Sequence, residues 1–221
     1  MYTLKFILFF YFRYYTTEIR INNFKIDFVM SSFSDKGWYY LPEIITKEEA
    51  IRIKYQNLCG AISDLGSLEG HWDKERGRVL TCYAPRSSTF VVHRVKPILE
   101  ELLGEELIPS YWFTTTYHNK GWMNCHTDRP SCEVSVTMNI SGDAKWPIKL
   151  KDLTGKRREV VTPTGDGLAY LGTIVPHWRS PLRTHKNDSF MQLFLHYVRK
   201  NGPYAEYAYD KDQKCYDLLT T

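Results

Sequence analysis

His126 and Asp128 stand one residue apart, immediately before the most regular alternating stretch of the chain, Cys132 to Ile140. In extended backbone, residues i and i+2 point to the same side, so an imidazole and a carboxylate here can converge on one ion. They make two of the three donors of a two-histidine, one-carboxylate site, the set that holds Fe(II) and leaves adjacent positions open. The third donor has to come from another strand. So short a motif recurs by chance, and His71-Trp72-Asp73 repeats it in the charged, glycine-flanked run from Gly70 to Gly77. No alternating strand follows that copy, and a solvated loop is the plainer reading.

Further along, Gly165-Asp166-Gly167 turns into the apolar strand Leu168 to Leu171, and Gly172 to Pro176 leads to His177-Trp178-Arg179. Among the other histidines, His93 lies in a helical segment and His196 in the last strand, where core or surface roles suffice. His118 follows Tyr117 at a turn and His185 sits in a polar loop. Cys125 and Cys132 flank the first motif, but the cysteine and histidine spacing of a structural zinc site is not reproduced, so buried free thiols are expected. Arg157 and Arg158, near Lys149, Lys151 and Lys156, read as a solvated hairpin face.

The elements that must position these residues divide into helices first and strands second. Gly37 to Pro42 reads as a strand. Thr46 then caps a helix, with Glu48 and Glu49 in its first turn and Thr46/Glu49 at capping-box spacing. Ile51, Tyr55, Leu58, Ile62 and Leu65 recur at helical steps and predict its packed face. Residues 66–88 read as loops around a short strand. A second helix is expected from Ser88 to Leu103, kinked or restarted at Pro97 and stopped by Gly104. Strands are then expected at Leu107–Tyr117, Cys132–Ile140 (half-buried, by its alternation), Trp146–Lys151, Arg158–Thr162, Leu168–Leu171 and Phe190–Val198. Two helices followed by closely spaced strands predict a mostly β, α+β fold: a sandwich or barrel buttressed by helices.

The remaining composition bounds the function. With 221 residues, the chain suits one large domain. A net charge of +4, without a basic stripe, argues against a dedicated nucleic-acid binder. Five cysteines without a CxxC pair make a poor disulfide framework, so a reducing, cytoplasmic location is expected. No apolar run is long enough to cross a bilayer, and no membrane partner is expected. Phe6 to Phe12 is apolar and aromatic but lacks the small-residue cleavage site of a signal peptide. Residues 1–29 read as an N-terminal extension of unassigned role, and Met30 as a plausible domain start. The tyrosines at 204, 207, 209 and 216 either cover an open end of the barrel or remain flexible.

Taken together, these pieces resemble the Fe(II)/2-oxoglutarate-dependent oxygenases, in the prolyl 4-hydroxylase-like branch. The resemblance spans about Gly37 to Val198. It rests on Gly-Trp-Tyr-Tyr-Leu-Pro before a helix, Tyr117 and Gly121 before His126-Thr127-Asp128, Gly165-Asp166-Gly167, His177-Trp178-Arg179 and the final Gln192-Leu193-Phe194-Leu195 strand. The step of 49 positions from Asp128 to His177 is typical of that family. Carried over residue by residue, the resemblance implies iron ligation by His126, Asp128 and His177, and a cosubstrate pocket lined by Tyr117 and Gln192. It implies a double-stranded β-helix (jelly-roll) barrel: one oxygenase domain over 30–221, with helical support at 43–104 and the β-helix core at 105–199. It also implies Fe(II), 2-oxoglutarate and O2 as cofactor and cosubstrates, ascorbate as a reductant, and hydroxylation of a small-molecule or peptidyl substrate coupled to decarboxylation.

One departure concerns the group that grips the distal cosubstrate carboxylate. Many members place a Lys or Arg well after the second histidine, near where Lys186 and Asn187 stand here. Arg179, two residues after His177, shares the ligand's face in a strand, and its planar fork suits a buried carboxylate. Arg179 is therefore the favoured anchor, with Arg183 and Lys186 as fallbacks. Three rivals are weaker. A nucleic-acid oxidative demethylase would add an Arg-x5-Arg pattern that does not follow His177. A non-catalytic β-sandwich binding module would need structural jobs for all three ligands, and a cupin would need an H-x-H pair with a following Glu. Substrate identity and oligomeric state have no signature in the chain.

Overall fold

The computed structural model describes residues 33–65, 71–74, 76–185 and 188–220. The extension at 1–29 and the fallback anchor Lys186 lie outside the described residues. Two long helices lie in the first half, after strand Trp38–Leu41 and separated by two strands. Helix α1 (Lys47–Leu65) begins as its sequence predicts: the Thr46 amide donates to Glu49 Oε2 at 3.0 Å and the Glu49 amide to Thr46 Oγ1 at 3.2 Å. The Glu49 carboxylate also takes two hydrogen bonds from Arg94 of α2 (Thr89–Leu103), which ties the start of one helix to the other. Helix α2 runs through Pro97 as one element and ends on Gly104, whose φ of 70° is the left-handed conformation that glycine adopts at little cost.

The predicted packed face of α1 is wrong in part. Ile51 and Tyr55 are 55% and 63% exposed, whereas Ala50, Ile53 and Asn57 are buried. Both sets follow a helical period, and Ala50 and Asn57 are too small or polar to stand out in a hydrophobic pattern. Which set packs is decided by the sheet beneath.

Eleven strands are present among the described residues: β1 (Trp38–Leu41), β2 (His71–Asp73), β3 (Gly77–Tyr83), β4 (Leu107–His118), β5 (Met123–His126), β6 (Val134–Ser141), β7 (Ile148–Lys151), β8 (Arg157–Val160), β9 (Gly167–Leu171), β10 (His177–Arg179) and β11 (Ser189–Arg199). They form a seven-stranded sheet, in the order β1-β9-β6-β11-β4-β3-β2, and a four-stranded sheet, β5-β10-β7-β8. All ladders are antiparallel. From β4 onward the chain alternates between the sheets: β4 large, β5 small, β6 large, β7 and β8 small, β9 large, β10 small, β11 large. That alternation winds two sheets into a double-stranded β-helix.

Strands β6, β9 and β11 are buried on both faces, because one face looks into the barrel and the other is covered. Helix α1 lies against β6 and β3, and α2 against β4. The alternation in Cys132–Ile140 therefore marks two buried faces of different chemistry, and the half-buried reading is corrected. Cys132 itself sits in a short 3-10 turn, Pro130–Cys132, before the strand. His71 also departs from the loop reading, since β2 pairs with β3 as a hairpin. The C-terminal tyrosine-rich segment contains a 3-10 stretch, Ala205–Lys211, and ends in α3 (Gln213–Thr220). Ser110 of β4 donates to the Tyr207 carbonyl at 3.1 Å, and Asp210 accepts from Arg129 at 2.9 Å and from the Tyr83 hydroxyl at 3.0 Å. No helix among the described residues is long and apolar enough to cross a membrane.

Candidate metal centre

Two strand ends and the segment after one of them place the candidate ligands. His126 closes β5 and His177 opens β10, and the two are direct partners in the β5–β10 ladder. Opposed residues on one face of an antiparallel pair have Cβ atoms about 4.5–5.5 Å apart, and here the imidazole centroids lie 4.4 Å apart. Asp128 follows β5, in a turn held by its amide donating to the Gly172 carbonyl at 2.8 Å. A Cβ built on Gly172 would stand 2.4 Å from Asp128 Oδ2 and 2.2 Å from the Cys132 carbonyl oxygen, so glycine is required for this approach.

The geometry suits a metal ion. His126 Nε2 is 3.4 Å and His177 Nε2 3.5 Å from the same oxygen, Asp128 Oδ1. Bonds of about 2.0–2.2 Å to one ion put adjacent ligand atoms about 3–4 Å apart, and the three ligand atoms lie within 4.8 Å of one another. On each ring the other nitrogen is occupied: Nδ1 of His126 meets the Asn124 carbonyl at 2.7 Å and Nδ1 of His177 the Val175 carbonyl at 2.9 Å. A carbonyl can only accept, so each Nδ1 carries the proton and each Nε2 presents a lone pair to the centre. Burial raises the pKa of Asp128, whereas protonation of the two imidazoles, which turns each Nε2 into a donor toward Oδ1, holds its carboxyl well below the usual carboxylate range.

The three ligands differ in access. The His126 side chain is 41% exposed, Asp128 12% and His177 1%. Tyr170 of β9 covers His177, with ring centroids 4.5 Å apart. The centre therefore opens on the His126 side and is closed on the His177 side.

Arg179, Tyr117 and Gln192 are all buried deeper in the barrel. Arg179 lies on the face of His177, as β10 is extended, roughly 6.6 Å further along at about 3.3 Å per residue. Its Nη1 donates to the Trp146 carbonyl at 2.6 Å and its Nη2 to Gln192 Oε1 at 3.1 Å, while the guanidinium rests on the Trp146 ring at 4.8 Å. Thr137 also donates to Gln192 Oε1, at 3.0 Å. With both neighbours donating, the Gln192 amide must turn its NH2 the other way. Arg179 Nε and Gln192 Nε2 are then buried donors without a partner among the described residues, and no carboxylate there pairs with Arg179. Burial pushes the guanidinium pKa down to about 10, with the nearby Tyr117 and Tyr170 opposing that. The Tyr117 ring meets Trp146 edge-on at 4.8 Å. Arg183 is exposed.

A second meeting of potential ligands was not anticipated from the sequence, although each of its residues was read there. Asp128, Cys132 and His196 also approach within 4.8 Å, but these atoms face protein partners. Cys132 Sγ meets the Tyr111 hydroxyl at 3.2 Å and His196 Nδ1 meets Ser135 Oγ at 2.9 Å. Burial, then the Asp128 carboxylate, pushes the Cys132 thiol up to about 12. Cys125 is exposed rather than buried, as are its neighbours Asn124 and His126 in β5.

No family model matches the sequence, and no curated protein does. Solved structures match the fold. A Pseudomonas putida prolyl-4-hydroxylase aligns at a TM-score of 0.59 and 13% identity, over 79% of this chain and 98% of that one. An oxidoreductase of the 2OG-Fe(II) oxygenase family from Burkholderia pseudomallei gives 0.61 and 14%, over 85% and 97%. The epimerase SnoN, in complex with Fe3+, alpha ketoglutarate and nogalamycin RO, gives 0.61 and 10%, over 80% and 85%. The chain thus has the double-stranded β-helix fold of the 2OG-Fe(II) oxygenases, prolyl 4-hydroxylases among them. Within that fold it carries a candidate His-Asp-His metal triad.

Proposed function

We propose that the protein is an Fe(II)- and 2-oxoglutarate-dependent dioxygenase, acting as a hydroxylase. The observation that carries this reading is the pairing, on one strand, of two opposite deficits. At His177, imidazole lone pairs and a carboxylate oxygen converge; at Arg179, buried donors converge with no carboxylate partner among the described residues. A buried charge without a partner is strongly disfavoured, so a ligand that brings an anion to Arg179 is the natural complement.

His126, Asp128 and His177 would hold Fe(II), and Arg179 with Gln192 would take the distal carboxylate of 2-oxoglutarate, beside Tyr117. Together, iron and 2-oxoglutarate supply an oxidation coupled to decarboxylation to succinate and CO2. The chain's own part is to orient and to shield. Carbonyl-anchored Nδ1 protons fix both imidazoles, Tyr170 and Trp146 keep water from the inner wall, and the exposed His126 side leaves a path for the substrate. The test is aerobic incubation with Fe(II), 2-oxoglutarate and ascorbate against pools of proline-containing peptides, free amino acids and small metabolites. Succinate release that rises with one pool, with a mass gain of one oxygen in that substrate, is expected. An absence of succinate in every mixture would remove the enzymatic reading.

A further inference from the structure

Across the large sheet, His196 of β11 is the register partner of Ser135 in β6, and Ser135 is the register partner of Tyr170 in β9. This row lies directly behind the metal centre. Ser135 Oγ is 2.8 Å from Asp128 Oδ2, the carboxylate oxygen that does not face the histidines, and 2.9 Å from His196 Nδ1. We infer that Ser135 and His196 are positioning residues for Asp128. Their hydrogen-bond relay holds Oδ2 away from the centre, so that Asp128 offers the metal a single oxygen. The inference rests on the metal reading above.

Proton accounting fixes the direction of the relay. Ser135 has one hydroxyl proton and two pure acceptors in reach, Asp128 Oδ2 at 2.8 Å and the Cys132 carbonyl at 3.1 Å. The shorter contact is to a charged oxygen and needs a proton between the two oxygens, so the proton points at Asp128 Oδ2. His196 Nδ1 must then donate to Ser135 Oγ. His196 is buried between the rings of Tyr111 and Phe113, with centroids 4.6 Å and 5.7 Å away, and it is nine-tenths or more enclosed. Its Nε2 has no partner among the described residues. Only Nδ1 is engaged, and its partner leads to the metal ligand. Gly172 supplies the third support: a Cβ there would stand 2.7 Å from Ser135 Oγ and 2.4 Å from Asp128 Oδ2, inside the very hydrogen bond the relay needs.

The consequence is chemical. A carboxylate free to rotate can chelate through both oxygens and occupy a position that a two-histidine, one-carboxylate site keeps open for its other reactants. Pinning Oδ2 prevents that, and partners of this kind commonly change metal affinity by about 10–100-fold.

The test is anaerobic Fe(II) and Co(II) titration of the full chain, with the Co(II) absorption spectrum as a readout of ligand geometry and thermal melting as a check on folding. Ser135→Ala is expected to weaken metal binding by about 10–100-fold and to alter the Co(II) spectrum. Ser135→Thr, which keeps the hydroxyl, should restore both. His196→Phe should show a smaller loss, and the Ser135→Ala/His196→Phe double variant should bind no worse than Ser135→Ala, because His196 acts through Ser135. If alanine at 135 impairs folding, His196→Gln, which retains a donor, should outbind His196→Phe. A Ser135→Ala protein with wild-type affinity and spectrum would overturn the relay while leaving the metal reading intact. Equal binding by His196→Gln and His196→Phe would do the same. A wild-type chain that binds neither ion would overturn the metal reading itself, and the relay with it.

Discussion

At its first residue, strand β10 meets a surplus of acceptors: two imidazole lone pairs, each within 3.5 Å of the same carboxylate oxygen. Two residues on, at Arg179, it meets a surplus of donors, with Arg179 Nε and Gln192 Nε2 buried and unpartnered among the described residues. The acceptor end is partly open to solvent through His126; the donor end is closed. Polar groups sealed inside proteins are normally satisfied, so both surpluses point to what each end is built to receive. A cation suits the first and an anion the second, and under the proposed function a short dicarboxylate bound to the cation would reach both. Their common strand keeps the two ends in fixed relation.

Removing the acceptor end should have the largest effect. His177→Ala deletes a ligand sealed against water, and Fe(II) affinity should fall by more than roughly 100-fold, beyond what outer partners alone contribute; equilibrium dialysis under argon measures it. Arg179→Ala breaks the donor end alone. With a buried charge pair losing one partner, 2-oxoglutarate binding should weaken by about 3–5 kcal/mol, roughly 100-fold or more, while Fe(II) binding stays near wild type. Calorimetry on both ligands separates the ends, and a loss shown instead by Arg183→Ala would transfer the anchor to that exposed residue.

A smaller effect concerns pH and the apo protein. Burial lowers the His196 pKa from 6.5 to about 4. Between those values the unfolded chain binds a proton that the folded one does not, so the wild type should lose stability as pH falls from about 6.5 toward 4. The loss should be on the order of 3 kcal/mol at most. His196→Gln should flatten that part of the denaturation profile relative to wild type, and parallel profiles would show that His196 does not carry the dependence. Smallest of all should be removal of the first 29 residues. A chain beginning at Met30 should melt and bind Fe(II) as the full chain does, and a clear fall in either would make the N-terminal segment part of the domain.

The two ends were not equally legible in the sequence. His126 and Asp128 announce themselves by residue type and a period of two, and the capping box at Thr46 and the stop at Gly104 are equally local. Most strand positions followed from alternation and turn residues, but the short strands β5 and β10 that carry His126 and His177 did not, being too short to show a period. The face of α1 did not, because Ile51 and Tyr55 make a better hydrophobic pattern than Ala50 and Asn57, and only tertiary packing chooses between them. Arg179 could be placed on the face of His177 by counting, but its lack of a counter-charge is a property of everything around it. Ser135 and His196 are 61 positions apart, and their meeting depends on the β6–β11 register, which no local pattern encodes.

The most direct test of the complementary ends is an anaerobic titration of the wild-type chain with 2-oxoglutarate, with and without Fe(II). If one molecule spans both ends, Fe(II) should raise 2-oxoglutarate affinity, 2-oxoglutarate should raise Fe(II) affinity by the same factor, and Arg179→Ala should abolish most of that coupling. Independent binding of the two, or no binding of 2-oxoglutarate in the presence of Fe(II), would contradict the account.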